Sequence, residues 1–229
     1  MWALAAAALL ALVVTATAAT ANGEPKRAFT KADLALARSV VLVRADLGDG
    51  FVGVRRADQD LPDGARCGPL AESDLTITGK ADSPDFRLQQ TGVLLTAGSS
   101  AHVYRTLREA NASFTRGTGK QVATCLADIV RLSSPPGQKI RVRSAKRVAF
   151  PSLAPKTAAY RVVASVSAGS GQSVTVYFDA IVLQQGRVQA SLVFTSAGRP
   201  LAETDRVVLA SVVAKRLARA AGRPTGPVA

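Results

Sequence analysis

The sequence predicts an α+β fold, in which a mainly antiparallel, twisted sheet has helices packed on one face as a two-layer or partial sandwich. Residues 158–195 alternate between apolar and polar side chains, amphipathic helical patterns precede and follow them, and strand patterns outnumber helical ones. A chain of 229 residues with 48% hydrophobic composition can bury one core of ordinary size, so we expect one domain.

The stretch 158–195 predicts three consecutive antiparallel strands. Gly169, Gly171 and Gly186 lie at the two turns, where glycine accommodates the reversal of a hairpin. Apolar side chains occupy every second position, which predicts one apolar face: Tyr160, Val162, Ala164, Val166, Val174, Val176, Phe178, Ala180, Val182, Val188, Ala190, Leu192 and Phe194.

The other face of this meander carries the candidate ligand-groove residues, which are Arg161, Tyr177, Asp179, Arg187 and Gln189. Side chains on this face are either solvated or line a groove between the sheet and the helices. For Asp179 the first expectation is a cross-strand ion pair with Arg161, and the alternative is a polar contact inside a pocket.

The first half of the domain begins with a helix from Thr30, its cap, to about Arg44. A short strand at 51–55 and a polar loop follow, and then strands around Leu75 and Ile77 and over 86–96. We expect a helix that starts at Ser99 or Ser100, with Val103, Leu107 and Ala110 on its apolar side.

The second half contains a helix over 119–132, with Cys125 on its apolar side and a Pro-Pro-Gly sequence at its end. Residues 138–150 predict a strand with Ile140, Val142 and Ser144 on one face. Lys139, Arg141 and Arg143 give it a basic, solvated opposite face. After the meander, residues 201–220 predict a long amphipathic helix that packs across it.

The first 21 residues are uncharged and end in overlapping Ala-x-Ala sequences, which is the pattern of a signal peptide. The resulting division is a signal peptide at 1–21, a linker at 22–29, a domain at 30–220 and a disordered tail at 221–229. Cleavage places the protein outside the cytoplasmic membrane, secreted or associated with the cell envelope. The alternative is an uncleaved N-terminal membrane anchor.

Cys67 and Cys125 are the chain's two cysteines, and in an exported protein they predict one disulfide. The alternative is two unrelated buried thiols. Two cysteines and a single distant histidine do not form a zinc site of usual spacing, so we assign no metal or cofactor.

Catalytic signatures are weak. His102, the sole histidine, lies near Ser99 and Ser100, but no nucleophile elbow surrounds these serines. The sequence from Gly117 to Lys120 matches only part of a phosphate-binding loop. We therefore assign no catalytic residue and do not expect an enzyme, although an envelope hydrolase remains as a third possibility.

The formal net charge of +13 predicts attraction to anionic surfaces, such as phospholipid headgroups or polymers of the cell envelope. Peripheral association with an anionic membrane is one form of this. Aromatic residues make up only 5% and follow no stacking pattern, so no nucleic-acid partner is expected.

The stretch ARSVVLVRADLGDGF, the cysteine-bearing loop and VTVYFDAIVLQQGRVQASLVF, followed by a terminal helix, resemble the extracellular sensor domains of actinobacterial serine/threonine protein kinases and related secreted lipoproteins. The resemblance implies a non-enzymatic ligand-binding or sensor-type module at the bacterial envelope. Its ligand could be a small molecule, a lipid or an anionic envelope polymer. The alternative function is that of a carrier for lipid or another hydrophobic ligand.

Overall fold

A computed structural model of the protein describes residues 23–56, 65–90, 93–134, 137–168 and 173–222. The predicted signal peptide, the turn at Gly169 and Gly171, the two prolines after the 119–132 helix and most of the tail lie outside the described residues, as does part of the polar loop before Cys67.

The described residues form nine strands, four α-helices and two short 3₁₀ turns at Arg44–Asp46 and Gly68–Leu70. The helices are α1 (Lys31–Val40), α2 (Leu107–Gly117), α3 (Val122–Leu132) and α4 (Glu203–Ala221). The strands are β1 (Lys26–Arg27), β2 (Val52–Val54), β3 (Thr76–Asp82), β4 (Asp85–Gln90), β5 (Val93–Tyr104), β6 (Gln138–Val148), β7 (Lys156–Ala168), β8 (Ser173–Gln185) and β9 (Val188–Ala197).

The strands join one sheet in the order β1-β3-β5-β9-β8-β7-β6, and β2 pairs with β4 beside it. β3 and β4 share one edge of the long β5, since Ser100 pairs with Asp82 and Ala97 pairs with Phe86. The β1–β3 pair is parallel and the other described pairs are antiparallel. The predicted α+β class with a mainly antiparallel sheet is confirmed.

The predicted helix layer is formed by α1 and α4, which bury Leu36, Val40 and Leu217 in one core with Ile181 and Leu192 of the sheet. Helix α4 packs across β8 and β9, as expected. Two further helices lie against the opposite face, where α3 forms a second core with β7 and β8. Since successive strand residues point to opposite faces, Ala180 belongs to the second core and Ile181 to the first.

The register of β9 corrects the prediction of a single apolar face on the meander. Gln185 pairs directly with Val188 across a turn at Gly186 (φ 59°), so Val188 shares a face with Gln185 and Leu183. Leu192 therefore lies opposite Ile181, on the α4 side, whereas Phe178 faces α3. A shift of one residue changes the face of a whole strand, and both faces of this meander are buried.

The prediction of a helix starting at Ser99 or Ser100 is wrong, because β5 continues to Tyr104. This strand is hydrogen-bonded on both sides, to β9 and to β3 and β4, so its backbone groups are satisfied as strand. The helix begins at Leu107 instead. Thr106 is its cap, and Glu109 completes a capping box by accepting from the Thr106 backbone N–H at 2.9 Å.

Strand β6 has the expected basic face, but its pairing shifts between Val142 and Ser144. Arg143 is the extra residue of this bulge, and beyond it Ala145, rather than Ser144, packs against the α3 core. The predicted cap of the first helix is confirmed, since Thr30 Oγ1 accepts from the backbone N–H of Asp33 at 3.1 Å. That helix ends at Val40, four residues earlier than expected.

Candidate functional site

A partly open slot lies between the sheet and the helices α2 and α3, with a volume of about 50 Å³. One wall comes from α3 and from Leu70 of the Gly68–Leu70 turn, and the floor comes from β5, β7, β8 and β9. Its apolar lining consists of Leu70, Val122, Cys125, Leu126, Ile129, Tyr160, Ala180 and Val182.

Polar side chains converge at one end of the slot, around the buried Tyr104. Its hydroxyl lies 2.6 Å from Ser113 Oγ and donates to Glu72 Oε2 at 3.2 Å. Ser113 Oγ is also 3.4 Å from Gln189 Oε1, so the group extends from the 3₁₀ turn to β9. Glu72 and Tyr104 are 2% and 0% exposed, which makes this a desolvated polar cluster.

His102 lies on the same face of β5 as Tyr104, and the two rings meet edge to face with 6.3 Å between centroids. The Nε2 atom of His102 is buried and has no hydrogen-bond partner among the described residues. Beside it, Ser100 Oγ and Ser191 Oγ are 2.7 Å apart across β5 and β9. His102 therefore brings a desolvated, unsatisfied polar atom to this end of the slot.

Burial shifts the titration of this cluster toward uncharged forms. Desolvation, with a smaller contribution from Lys80, lowers the pKa of His102 to about 4. Desolvation also raises the pKa of the Glu72 carboxyl, although hydrogen bonds from Ser113 and Tyr104 oppose it. The pKa of Tyr104 is raised well above its ordinary value by burial and by the Glu72 charge. Near neutral pH the imidazole is therefore neutral.

Sequence reasoning missed this cluster because it assigned Ser100 and His102 to a helix. In a strand, Ser100, His102 and Tyr104 share one face, and so do their β9 neighbours Gln189 and Ser191. One pattern could have indicated a strand here: the apolar Ala97, Ala101 and Val103 lie at odd positions, and the polar Ser100 and His102 lie at even ones. Glu72 comes from the turn that follows the disulfide, a position that alternation cannot indicate.

The five candidate groove residues do not lie together. Gln189 lines the slot, because the register of β9 places it on the α3 side. Asp179 lies on the α4 side, where it pairs with Arg161 across the strands at 2.7 Å. Asp179 therefore forms the expected cross-strand ion pair with Arg161 and does not line the slot.

The two remaining candidates also lie away from the slot. Tyr177 shares the α4-side face with Asp179 and is partly exposed. Arg187 occupies the β8–β9 turn, where it donates to the carbonyl of Tyr104 at 2.6 Å and pairs with Asp33 at 3.2 Å.

The predicted disulfide is present. Cys67 and Cys125 are joined with Cα atoms 4.9 Å apart, and Cys125 forms part of the slot wall. The bridge fixes the segment that leads to Leu70 and Glu72 against α3. Arg116 of α2 holds the same segment from the other side by donating to the Ala71 carbonyl at 2.8 Å and binding Asp74.

The serine–histidine pairing of a hydrolase is not assembled. Ser99 points to the opposite face, where its Oγ accepts from the Leu42 backbone N–H at 2.8 Å. Ser100 shares a face with His102 but is hydrogen-bonded to Ser191. An imidazole with a pKa of about 4 is also a weak general base.

Across the described ranges, no three acidic, histidine or cysteine side chains cluster in a way that could hold a metal ion. No helix within those ranges is long and apolar enough to cross a membrane. Asn111 of α2 is linked to the sheet, because its Oδ1 accepts from Gln184 at 2.9 Å and from Lys156.

No established protein family matches the sequence, and no curated protein does. Solved structures that match the chain include the extracellular domain of PknH from Mycobacterium tuberculosis. That match has 10% identity over 61% of this chain and 64% of the other, with a TM-score of 0.35.

LpqN, a protein involved in cell envelope biogenesis of the same organism, matches at 13% identity over 72% of this chain and 87% of the other, with a TM-score of 0.29. Cyanobacterial PsbP from Synechocystis matches at 14% identity over 78% and 87%, with a TM-score of 0.35. These similarities are distant, and they assign neither a family nor a ligand to the chain.

Proposed function

We propose that the protein is an exported, non-enzymatic binding module of the sensor type, which holds a small, mainly apolar ligand in the slot. The observation that carries this proposal is the slot itself, in which an apolar lining meets the polar side chains of Ser100, His102 and Ser191 at one end. A ligand with one hydroxyl or N–H group could hydrogen-bond to these side chains while its apolar body contacts α3.

The chemistry of the slot favours an uncharged ligand. His102 is neutral near pH 7, and no described lining residue is Lys or Arg, so the described walls offer no cation to an anionic group. Hydroxyls of Ser100 and Ser191 can donate or accept, which suits one polar group of either kind. Apolar pockets with a few convergent polar groups are typical of small-molecule sites.

The slot is small for the alternative function of a lipid carrier. One water molecule requires about 10–15 Å³ of cavity volume, so a slot of about 50 Å³ has room for only a few atoms of that size. An acyl chain contains many more methylenes than this space can enclose. The volume therefore favours a fragment-sized ligand or a single functional group inserted from a larger one.

Export is supported by the uncharged N-terminal segment with its Ala-x-Ala sequences and by the Cys67–Cys125 bridge. Disulfides persist in oxidising compartments outside the cytoplasm. The N-terminal sequence of the protein recovered from the envelope or medium tests this part. A chain that begins at Met1 contradicts cleavage of the signal peptide.

Native purification followed by mass spectrometry tests binding, with Gly117→Leu as the blocking variant. Gly117 lines the slot, and a Cβ atom there meets nothing within 4 Å, so a larger side chain can be added at this lining position without a clash at its base. Gly48→Leu is the matched control, because a Cβ there is equally unobstructed and Gly48 does not line the slot.

We expect the wild type and Gly48→Leu to retain a small organic molecule, or to bind added phenol in a saturable way. Gly117→Leu should do neither. Equal ligand content in all three proteins contradicts the slot as the site. Retention of an intact membrane lipid by the wild type supports the carrier function instead.

A further inference from the structure

We propose that the protein has a second, separate binding site: a basic groove along the edge of the sheet that binds a linear, phosphate-bearing polymer. The groove is open, has a volume of about 990 Å³ and is formed by β6, β7 and the start of β8. It lies far along the sheet from the polar end of the slot. Its lining consists of Ser134, Lys139, Ile140, Arg141, Val142, Arg143, Ser165, Ser167 and Ser173.

The three cations of the groove are available for a ligand. Lys139, Arg141 and Arg143 are exposed, and none of them makes an ion pair within the described part of the chain. The sequences of β6 and β7 contain no Asp or Glu, and no described lining residue is acidic. The positive potential of this groove is thus not neutralised from within.

Five arginines elsewhere in the chain are paired instead. Arg56, Arg66, Arg116, Arg187 and Arg216 each pair with an aspartate that comes from a distant part of the chain. Most described acidic groups are therefore used in internal ion pairs. The excess positive charge of the protein is left on surfaces such as the β6 face, where it can act on an external anion.

The geometry of the cations fits a chain rather than a single ion. Lys139 and Arg141 are alternate residues of one strand, a separation of about 6.7 Å, and the bulge at Arg143 continues the row. Ser167 and Ser165 pair directly with Lys139 and Arg141, so each cation has a hydroxyl beside it. Guanidinium groups with neighbouring hydroxyl donors are suited to phosphate oxygens.

The same surface is less suited to a bilayer. The groove is concave, and none of the large apolar side chains that are exposed in the described residues lines it. Peripheral membrane surfaces commonly add apolar side chains that insert below the headgroups. We therefore assign the groove to a polymer, and binding to vesicles is an outcome that the test must separate.

The test measures binding of the full chain to labelled poly(glycerol phosphate) by fluorescence anisotropy over a range of salt concentrations. The variant Lys139→Gln/Arg141→Gln/Arg143→Gln removes the row. Its matched control is Arg38→Gln/Lys215→Gln/Arg219→Gln, which removes three exposed cations of α1 and α4 that make no described ion pair. Inorganic phosphate and phosphatidylglycerol vesicles are the comparison probes.

We expect the groove variant to bind the polymer at least on the order of tenfold more weakly than the wild type. The slope of the logarithm of the binding constant against the logarithm of the salt concentration should become shallower by about two. The control variant should stay within a few-fold of the wild type. Equal loss in both variants overturns the site in favour of diffuse charge. Inorganic phosphate that matches the polymer in affinity, or vesicles bound more tightly than the polymer, overturns the assignment of the ligand.

A second variant guards against loss of folding. Ser165→Asp keeps all three cations and places a carboxylate directly opposite Arg141. Weaker polymer binding by this variant with an unchanged thermal unfolding transition supports the groove. Unchanged binding by Ser165→Asp argues against it, whatever the triple variant does.

Discussion

Arg161 and Asp179 form a two-point ion pair across β7 and β8, with Nε to Oδ1 at 2.7 Å and Nη2 to Oδ2 at 3.0 Å. Asp179 is 1% exposed and also lies 3.4 Å from Nη1 of the buried Arg206 in α4. This carboxylate therefore links the meander to the C-terminal helix. A buried charge is tolerated because two cations face it.

Replacing Asp179 with Ala is expected to lower the free energy of unfolding by about 3–5 kcal/mol, because it leaves the Arg206 guanidinium buried without its partner. Urea denaturation measures the loss. Glu24→Ala, which breaks the exposed Glu24–Arg27 pair, is the control and should cost at most about 1 kcal/mol. Similar losses in the two variants would contradict the structural role of Asp179.

Removing the disulfide with Cys67→Ala/Cys125→Ala is expected to lower the free energy of unfolding by about 4 kcal/mol, since the bridge closes a loop with a sequence separation of 58. Denaturation of the wild type with and without a reductant gives the matched comparison. We expect the reduced wild type to behave like the double variant. A double variant as stable as the oxidised protein would show that the bridge does not constrain the unfolded chain.

Gly79→Ala is expected to destabilise the protein by about 1–3 kcal/mol through overpacking. A Cβ atom at this position of β3 would lie 2.2 Å from the backbone carbonyl oxygen of Asp33, so α1 would have to move away from the sheet. Gly48→Ala is the control, because a Cβ there has no atom within 4 Å. Chemical denaturation compares the two variants, and equal stability would contradict the close approach of α1.

The decrease in the free energy of unfolding at acidic pH is expected to depend on His102. Burial lowers its pKa from 6.5 to about 4, so the unfolded chain takes up the proton first as the pH falls. The stabilising effect is complete above pH 6.5 and is lost between pH 6.5 and about 4, at up to about 1.4 kcal/mol per pH unit.

Denaturation curves of the wild type and His102→Gln over this pH range measure the difference. The variant should show a flatter decline in stability, whatever its absolute stability at neutral pH. Glu72→Gln is the companion variant and should keep the histidine-dependent decline. Because the pKa of Glu72 is raised, its own contribution has the opposite sign and is lost as the pH rises. Identical slopes for wild type and His102→Gln would contradict a desolvated imidazole.

The alternation of the sequence was sufficient to place β6 to β9 and the terminal helix, because period-two and helical patterns reflect local geometry. The disulfide was predicted from the presence of two cysteines in a chain with an export signal, and the Arg161–Asp179 pair from cross-strand neighbours in the meander. The helix expected at Ser99 was wrong because single serines serve equally as helix caps and as strand residues. Only pairing with β3 and β9 distinguishes the two.

By itself, the sequence determined the fold class, the meander and the basic strand, since these depend on the periodicity and charge of neighbouring residues. The tertiary structure decided which face each strand presents. The direct pairing of Gln185 with Val188 moved Leu192 and Phe194 to the α4 side and Gln189 to the slot. Such a register depends on hydrogen bonds across strands, and so does the meeting of Glu72, His102 and Tyr104 at one end of an apolar slot.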